Sequence, residues 1–150
     1  MIVAFFGHRD FVANNETKGA ILSILNSEIG ENNAEFFLGG YGGFDSFAYS
    51  VCKEYRLSHG NSSLTFVTPY MTEQYQKNHL AELSANFDSI IYPEIEAVPK
   101  RFAISYRNRY IARRADLIIC YVKREYGGAY QAVKYATSLG KRIINIASSK

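Results

Sequence analysis

Six short apolar runs rich in β-branched and aromatic residues recur along the chain with segments of helical spacing between them, and that alternation leaves few folds open. The runs are Ile2–Phe6, Glu35–Leu38, Ser63–Val67, Ser89–Tyr92, Leu117–Tyr121 and Arg142–Ile146, and they read as buried strands. The first intervening segment places Ala20, Ile21, Ile24, Leu25 and Ile29 on one face, with Asn14 or Asn15 positioned to cap it. The second repeats the stripe with Phe47, Ala48, Val51, Cys52 and Tyr55. A weaker third runs from about Thr72 to Leu83, with Tyr75, Leu80 and Leu83 inward. The fourth covers roughly Phe102–Arg114, and the fifth sets Ala129, Ala132, Val133, Ala136 and Leu139 inward before Gly140 ends it. Strand, helix, strand at this cadence predicts right-handed βαβ units on a mostly parallel sheet of five or six strands.

With 150 residues, 47% of them apolar and 21% charged, the chain suits one α/β, Rossmann-like domain spanning 1–150. No apolar run approaches the roughly 20 residues that span a bilayer, so no membrane partner is expected. Nor does the opening Met1–Phe6 resemble a secretory leader. Cys52 and Cys120 stand far apart with no CxxC spacing, which argues against a disulfide framework or structural zinc. A reduced, cytoplasmic setting is the corresponding expectation. The net charge of +3 conceals a split: residues 1–99 carry 5 Lys/Arg against 12 Asp/Glu, whereas residues 100–150 carry 12 against 2. A basic third of this kind suggests an anionic partner, unless the acidic and basic segments neutralise one another in space. The loop Tyr92–Lys100, with Pro93 and Pro99, is irregular enough to close over a site.

Ligands of such sheets bind outside the carboxyl ends of the strands, where strand order reverses. Three strand-to-helix loops are therefore the places to search. After the first strand stand Gly7, His8, Arg9 and Asp10; Arg9 is suited to grip phosphate, or to pair with Asp10 in an ordinary surface turn. Between the second strand and its helix, Gly39, Gly40, Gly42 and Gly43 surround Tyr41 and precede Phe44 and Asp45. Their backbone N–H groups, with the helix N-terminus behind them, suit a phosphate cradle, although the spacing fits neither the dinucleotide fingerprint nor a Walker loop. Asp45 is placed to cap that helix or to accept a ribose hydroxyl. The third loop sets Gly127 and Gly128 before Ala129 and Tyr130, a second anion seat whose flanking Tyr126 and Tyr130 suit base stacking or simple packing. Arg101, Arg107, Arg109, Arg113 and Arg114 crowd the fourteen residues 101–114 at the fourth helix, but Arg107 and Arg109 face different ways, so one flat stripe using all five is poor geometry. His8, His59 and His79 are scattered, and neither a Ser-His-Asp set nor metal-ligand spacing is present; no metal and no cofactor is expected.

In order, Gly7-His8-Arg9, Gly39-Gly40-Tyr41-Gly42-Gly43-Phe44-Asp45, Pro69 with Gln74, Arg107-Asn108-Arg109-Tyr110 and Gly127-Gly128-Ala129-Tyr130 resemble the SLOG superfamily. That name joins the Smf/DprA proteins and the LOG (Lonely Guy) proteins, and the resemblance is nearest to the bacterial YpsA-like branch. It implies a Rossmann-like domain that binds nucleotides or molecules derived from them. Some members cleave the base from a nucleoside monophosphate, others sense nucleotide signals including ADP-ribose derivatives, and the DprA branch binds single-stranded DNA. Members also self-associate, which implies a homo-oligomer. Arg107 matches the arginine of LOG hydrolases, but Ala132 stands where their glutamate should be, and Asn108 replaces the lysine that follows the arginine. The resemblance therefore points to a sensor or sequestering module for a small nucleotide-derived ligand. In that reading Arg9, the six loop glycines and Arg107 hold phosphate, while Asp45 and Asn108 read ribose or base. A phosphoribohydrolase and a single-stranded nucleic-acid binder are the alternatives, and no catalytic residue is assigned.

Overall fold

The central apolar runs, Ile2–Gly7 and Leu117–Tyr121, form strands that are covered on both sides, which is why they lack a polar alternate position. The computed structural model describes residues 1–70, 73–93, 95 and 97–148. Within them lie β1 (Ile2–Gly7), α1 (Asn15–Ile29), β2 (Ala34–Leu38), α2 (Gly43–Ser58), β3 (Ser62–Val67), α3 (Glu73–Asn86), β4 (Ser89–Ile91), α4 (Ala103–Arg114), β5 (Leu117–Tyr121), α5 (Gly128–Ser138) and β6 (Arg142–Asn145). A 3₁₀ turn, Lys100–Phe102, leads into α4, and another, Ile146–Ser148, follows β6 and takes up the Ile146 expected at the strand's end.

The described strands form one six-stranded sheet in the order β4-β3-β2-β1-β5-β6, with every pairing parallel. Residues of β1 alternate between two cores. Val3 and Phe5 join Ile21, Leu25, Val51 and Cys52 under α1 and α2, whereas Ala4 and Phe6 join Ile111, Ala112, Ala132 and Ala136 under α4 and α5. The chain steps outward through β1, β2, β3 and β4, then returns to place β5 on the other side of β1. Strand order thus reverses at β1, and the carboxyl ends of β1 and β5 frame a crevice.

Local signals explain the helix ends. Asn14 caps α1, its Oδ1 accepting the Thr17 N–H at 2.8 Å, an interaction worth about 1 kcal/mol. Leu139, expected to face inward, is 42% exposed, because α5 ends at Ser138 and Leu139 is its C-cap. On α3, Leu83 is half-buried; Tyr75 and Leu80 lie outside the described side chains, and Thr72 outside the described residues. No helix among the described residues is long and apolar enough to cross a membrane.

Candidate functional site

The first and third loops are fastened together before any ligand enters. His8 is buried, and its Nε2 accepts the Lys123 N–H at 2.8 Å. That bond requires the neutral ring with its proton on Nδ1. Burial, and after it the charge of Arg124, holds the His8 pKa below its ordinary 6.5, against a smaller opposing effect of Asp10. Beside it Arg124 makes a two-point pair with Asp10, both contacts at 2.8 Å, and that hydrogen bonding lowers the Asp10 pKa. Asp10 is therefore engaged by Arg124 rather than by its neighbour Arg9, and Arg9 makes no ion pair among the described residues.

The His8 contact has a pH signature. Between the unfolded value of 6.5 and the lower folded one, the unfolded chain binds more protons. The His8 contribution is then complete above pH 6.5 and declines as pH falls through the folded pKa, by at most about 1.4 kcal/mol per pH unit. Thermal melts of wild type and His8→Gln at pH 7.5 and 5.5 check this. The stability advantage of the wild type should narrow at the lower pH, and a constant gap would show that His8 does not titrate against this contact.

The glycine loop after β2 serves packing to a larger extent than its composition suggests. Gly43 N–H donates to Arg9 O at 2.8 Å and Phe44 N–H to His8 O at 3.3 Å, so the start of α2 is tied to backbone carbonyls of the first loop. A Cβ on Gly43 would stand 2.3 Å from Phe11 O, and one on Gly7 would stand 2.1 Å from Cγ of the buried Phe44 ring. Asp45 Oδ2 accepts the Tyr41 N–H at 2.8 Å and so closes the loop. Burial raises the Asp45 pKa to about 6, against the lowering effects of that hydrogen bond and of Arg107 and Arg9.

Arg107 is a large, fully buried side chain. Its Nη1 donates to Gly39 O at 2.9 Å and to Val67 O at 2.7 Å, and its Nε donates to Asn108 Oδ1 at 3.0 Å. The guanidinium also lies 5.5 Å from the Tyr41 ring centroid. One arginine of α4 thus pins the carboxyl ends of β2 and β3.

The start of α5 is arranged differently. Gly127 has φ +95°, a backbone conformation that favours glycine, and no Cβ at Gly127 or Gly128 would meet an atom within 4 Å. The N–H groups of Gly128, Ala129 and Tyr130 have no hydrogen-bond partner among the described residues, and no side chain caps the helix. This N-terminus opens onto a cleft of about 350 Å³ at the switch of strand order. Gly7, His8, Arg9, Gly39, Asp45, Arg107, Asn108, Gly127, Gly128 and Ala129 line it. Gly40, Gly42, Gly43, Phe44, Pro69 and Tyr130 do not: Phe44 and Pro69 are buried, and Gly40 borders a separate cavity beneath α3. The described part of the Tyr92–Lys100 loop does not reach the cleft either.

Sequence reasoning missed Arg124, Tyr41 and Ile104, all in the cleft wall. The paired acid Asp10 was visible, but its partner lies 114 positions away and carries no local signal. No group of three or more potential metal ligands occurs among the described residues. Ala132 is buried in the core cluster under α4 and α5.

Fold and cleft together define a Rossmann-like α/β domain with a ligand-sized crevice at its topological switch point. Over 94% of its length the chain is similar to DNA processing protein A (DprA) from Streptococcus pneumoniae, with a TM-score of 0.63 and 16% identity. It is similar over 95% to DprA from Helicobacter pylori, a single-stranded-DNA-binding protein, with a TM-score of 0.63 and 18% identity. The chain spans 48% of the first protein and 63% of the second. No protein-family model matches the sequence, and no curated protein matches it.

Proposed function

We propose that the protein is a nucleotide-binding module of the SLOG type, holding a small phosphorylated nucleoside derivative in the cleft between β1 and β5. The N-terminus of α5 carries this reading: the N–H groups of Gly128 and Ala129, without a hydrogen-bond partner among the described residues, and the helix dipole adjoin a cleft that is also lined by Arg9, which makes no ion pair among the described residues. A volume of about 350 Å³ lies at the small end of ligand pockets, which run from about 300 to 1,000 Å³. Phosphate sits at Gly128 and Ala129, within reach of Arg9, and Asp45 and Asn108 supply acceptors for ribose or base. Arg107 and His8 hold the walls in place rather than grip the ligand.

A second reading, hydrolysis of the N-glycosidic bond, is favoured by one observation. Asp45 is a cleft carboxyl with a pKa of about 6, suited to proton transfer near neutrality. Thermal melting with nucleoside mono- and diphosphates of each base, followed by chromatography of the incubated mixture, separates the two. The binding module gains stability, about 2.7 kcal/mol at a hundredfold excess over Kd, and leaves the nucleotide intact. Arg9→Ala should weaken affinity about tenfold without lowering the melting temperature, because Arg9 is exposed. Released free base establishes the hydrolase, and a panel that shifts nothing removes the nucleotide reading. Single-stranded DNA, which Helicobacter pylori DprA binds, belongs in the same panel, since a polymer on the basic helices would show a steep salt dependence.

A further inference from the structure

A separate cavity of about 370 Å³ lies beneath α3, and Tyr41 and Asp45 line both it and the cleft. Its buried floor is Leu38 and Phe66, at the carboxyl ends of β2 and β3. Gly40 makes room for that floor, since a Cβ there would stand 2.4 Å from Cε1 of Phe66. Phe87, just past α3, packs against Tyr49 and Phe66 with ring centroids 5.0 and 5.3 Å away. The Tyr49 hydroxyl donates to Asn86 O at 3.2 Å, which ties α2 to the end of α3.

Four aromatic side chains, Tyr41, Tyr49, Phe66 and Phe87, thus border a space that also holds two carboxyls, Asp45 in the first turn of α2 and Glu82 on α3. Glu82 shares the cavity face of α3 with His79 and Asn86 through its three- and four-residue spacing to them. Neither carboxyl has an ion-pair partner among the described residues, and no Lys or Arg is among the described lining residues. Arg9 and Arg107, whose charges act on Asp45, line the cleft and not this cavity. Lys53, 5.9 Å from the Tyr49 centroid, does not line it either. Asp45 Oδ2 accepts the Tyr41 N–H, whereas its Oδ1 has no hydrogen-bond partner among the described residues. Ring faces attract cations through their quadrupoles, and carboxylates without a counter-ion add to that attraction.

We propose that the cavity beneath α3 binds a small organic ammonium cation, neutralised by Asp45 and Glu82 and surrounded by the aromatic rings. An anion of the kind read for the cleft is repelled here by the two carboxylates, and a neutral apolar molecule would leave them without a counter-charge. The site stands independently of the nucleotide reading. Because Asp45 belongs to both walls, a cation bound here also favours the ionised form of a carboxyl in the cleft.

NMR titration of wild type, Asp45→Asn and Glu82→Gln at constant ionic strength tests this. The probes are choline and butylammonium, each beside a neutral analogue: dimethylbutanol, in which carbon replaces the choline nitrogen, and butanol. At least one cation should shift the amides of Gly40, Leu83 and Phe87 and bind about tenfold tighter than its neutral analogue. Glu82 is exposed, and Asp45→Asn keeps an oxygen for the Tyr41 N–H, so both variants should fold. Each should weaken the cation about fivefold and leave the neutral analogue within about twofold. In wild type the bound cation should also move the Asp45 pKa below its value of about 6, read by carbon-detected NMR of the carboxyl. Neutral analogues that bind as tightly as the cations would reduce the site to a plain apolar cavity and overturn the proposal. Cation affinity that survives both substitutions, shifts confined to other surfaces, or no binding of either cation would overturn it equally.

Discussion

Gly43→Ala is expected to lower stability by at least about 3 kcal/mol, and Gly128→Val to leave it within about 0.5 kcal/mol while abolishing nucleotide binding. The two glycines precede helices in loops of similar composition, yet their surroundings are opposite. A methyl on Gly43 would meet Phe11 O at 2.3 Å and Arg9 O at 2.9 Å, both backbone atoms of a loop held by Asp10 and Arg124. The Arg9 carbonyl cannot retreat without breaking its bond from the Gly43 N–H. A loss of that size lowers Tm by about 6–12 °C in a chain of this length. At Gly128 a side chain would stand in open space on the cleft wall, at a helix position that needs no positive φ. Valine there fills the volume that a phosphate would occupy. Melts of both variants, with and without nucleoside monophosphate, make the comparison. A Gly43→Ala protein that melts like wild type would show that the first loop yields, and a Gly128→Val protein that still responds to nucleotide would move the phosphate elsewhere.

That contrast marks where sequence reasoning reaches and where it stops. The six strands were legible because a parallel sheet covered on both faces leaves continuous apolar runs, and β5 has the expected bounds, Leu117–Tyr121. Strand order was not legible, since no local signal says that β5 returns to β1 instead of extending the edge at β4. The glycine loops were legible as special backbone, but not their division of labour. Composition gave greater weight to the four glycines after β2, whereas three-dimensional neighbours assign Gly43 to close packing and leave Gly128 open. The charge split likewise pointed to an anionic partner without revealing that Arg107 is interior while Arg109 lies on the surface. A helical wheel separates their directions and is silent on which direction is buried.

Replacement of Arg107 by Met should cost about 3 kcal/mol or more, and the manner of the loss decides what this arginine does. A ligand-gripping arginine at a cleft wall is dispensable for folding, so its removal would leave Tm unchanged and weaken binding alone. Arg107 is instead 2% exposed, and one of its nitrogens serves two carbonyls from different strand ends, Gly39 O and Val67 O. Met fills much of the aliphatic volume but leaves both carbonyls without these donors, each a desolvation cost of about 1–3 kcal/mol. Lys at this position keeps the charge and loses the planar fork, so Arg107→Lys should fall between wild type and Met. The Asp45 carboxyl supplies an independent readout. Arg107 is one of the groups holding its pKa down to about 6, so in Arg107→Met that pKa should rise, and a larger fraction of Asp45 should be protonated at pH 7. Carbon-detected NMR of the Asp45 carboxyl in the folded fraction measures this directly. A variant that melts normally, titrates Asp45 as before and has lost only nucleotide affinity would return Arg107 to the ligand. A destabilised variant with a raised Asp45 pKa identifies Arg107 as the post on which the cleft's acidic wall is built.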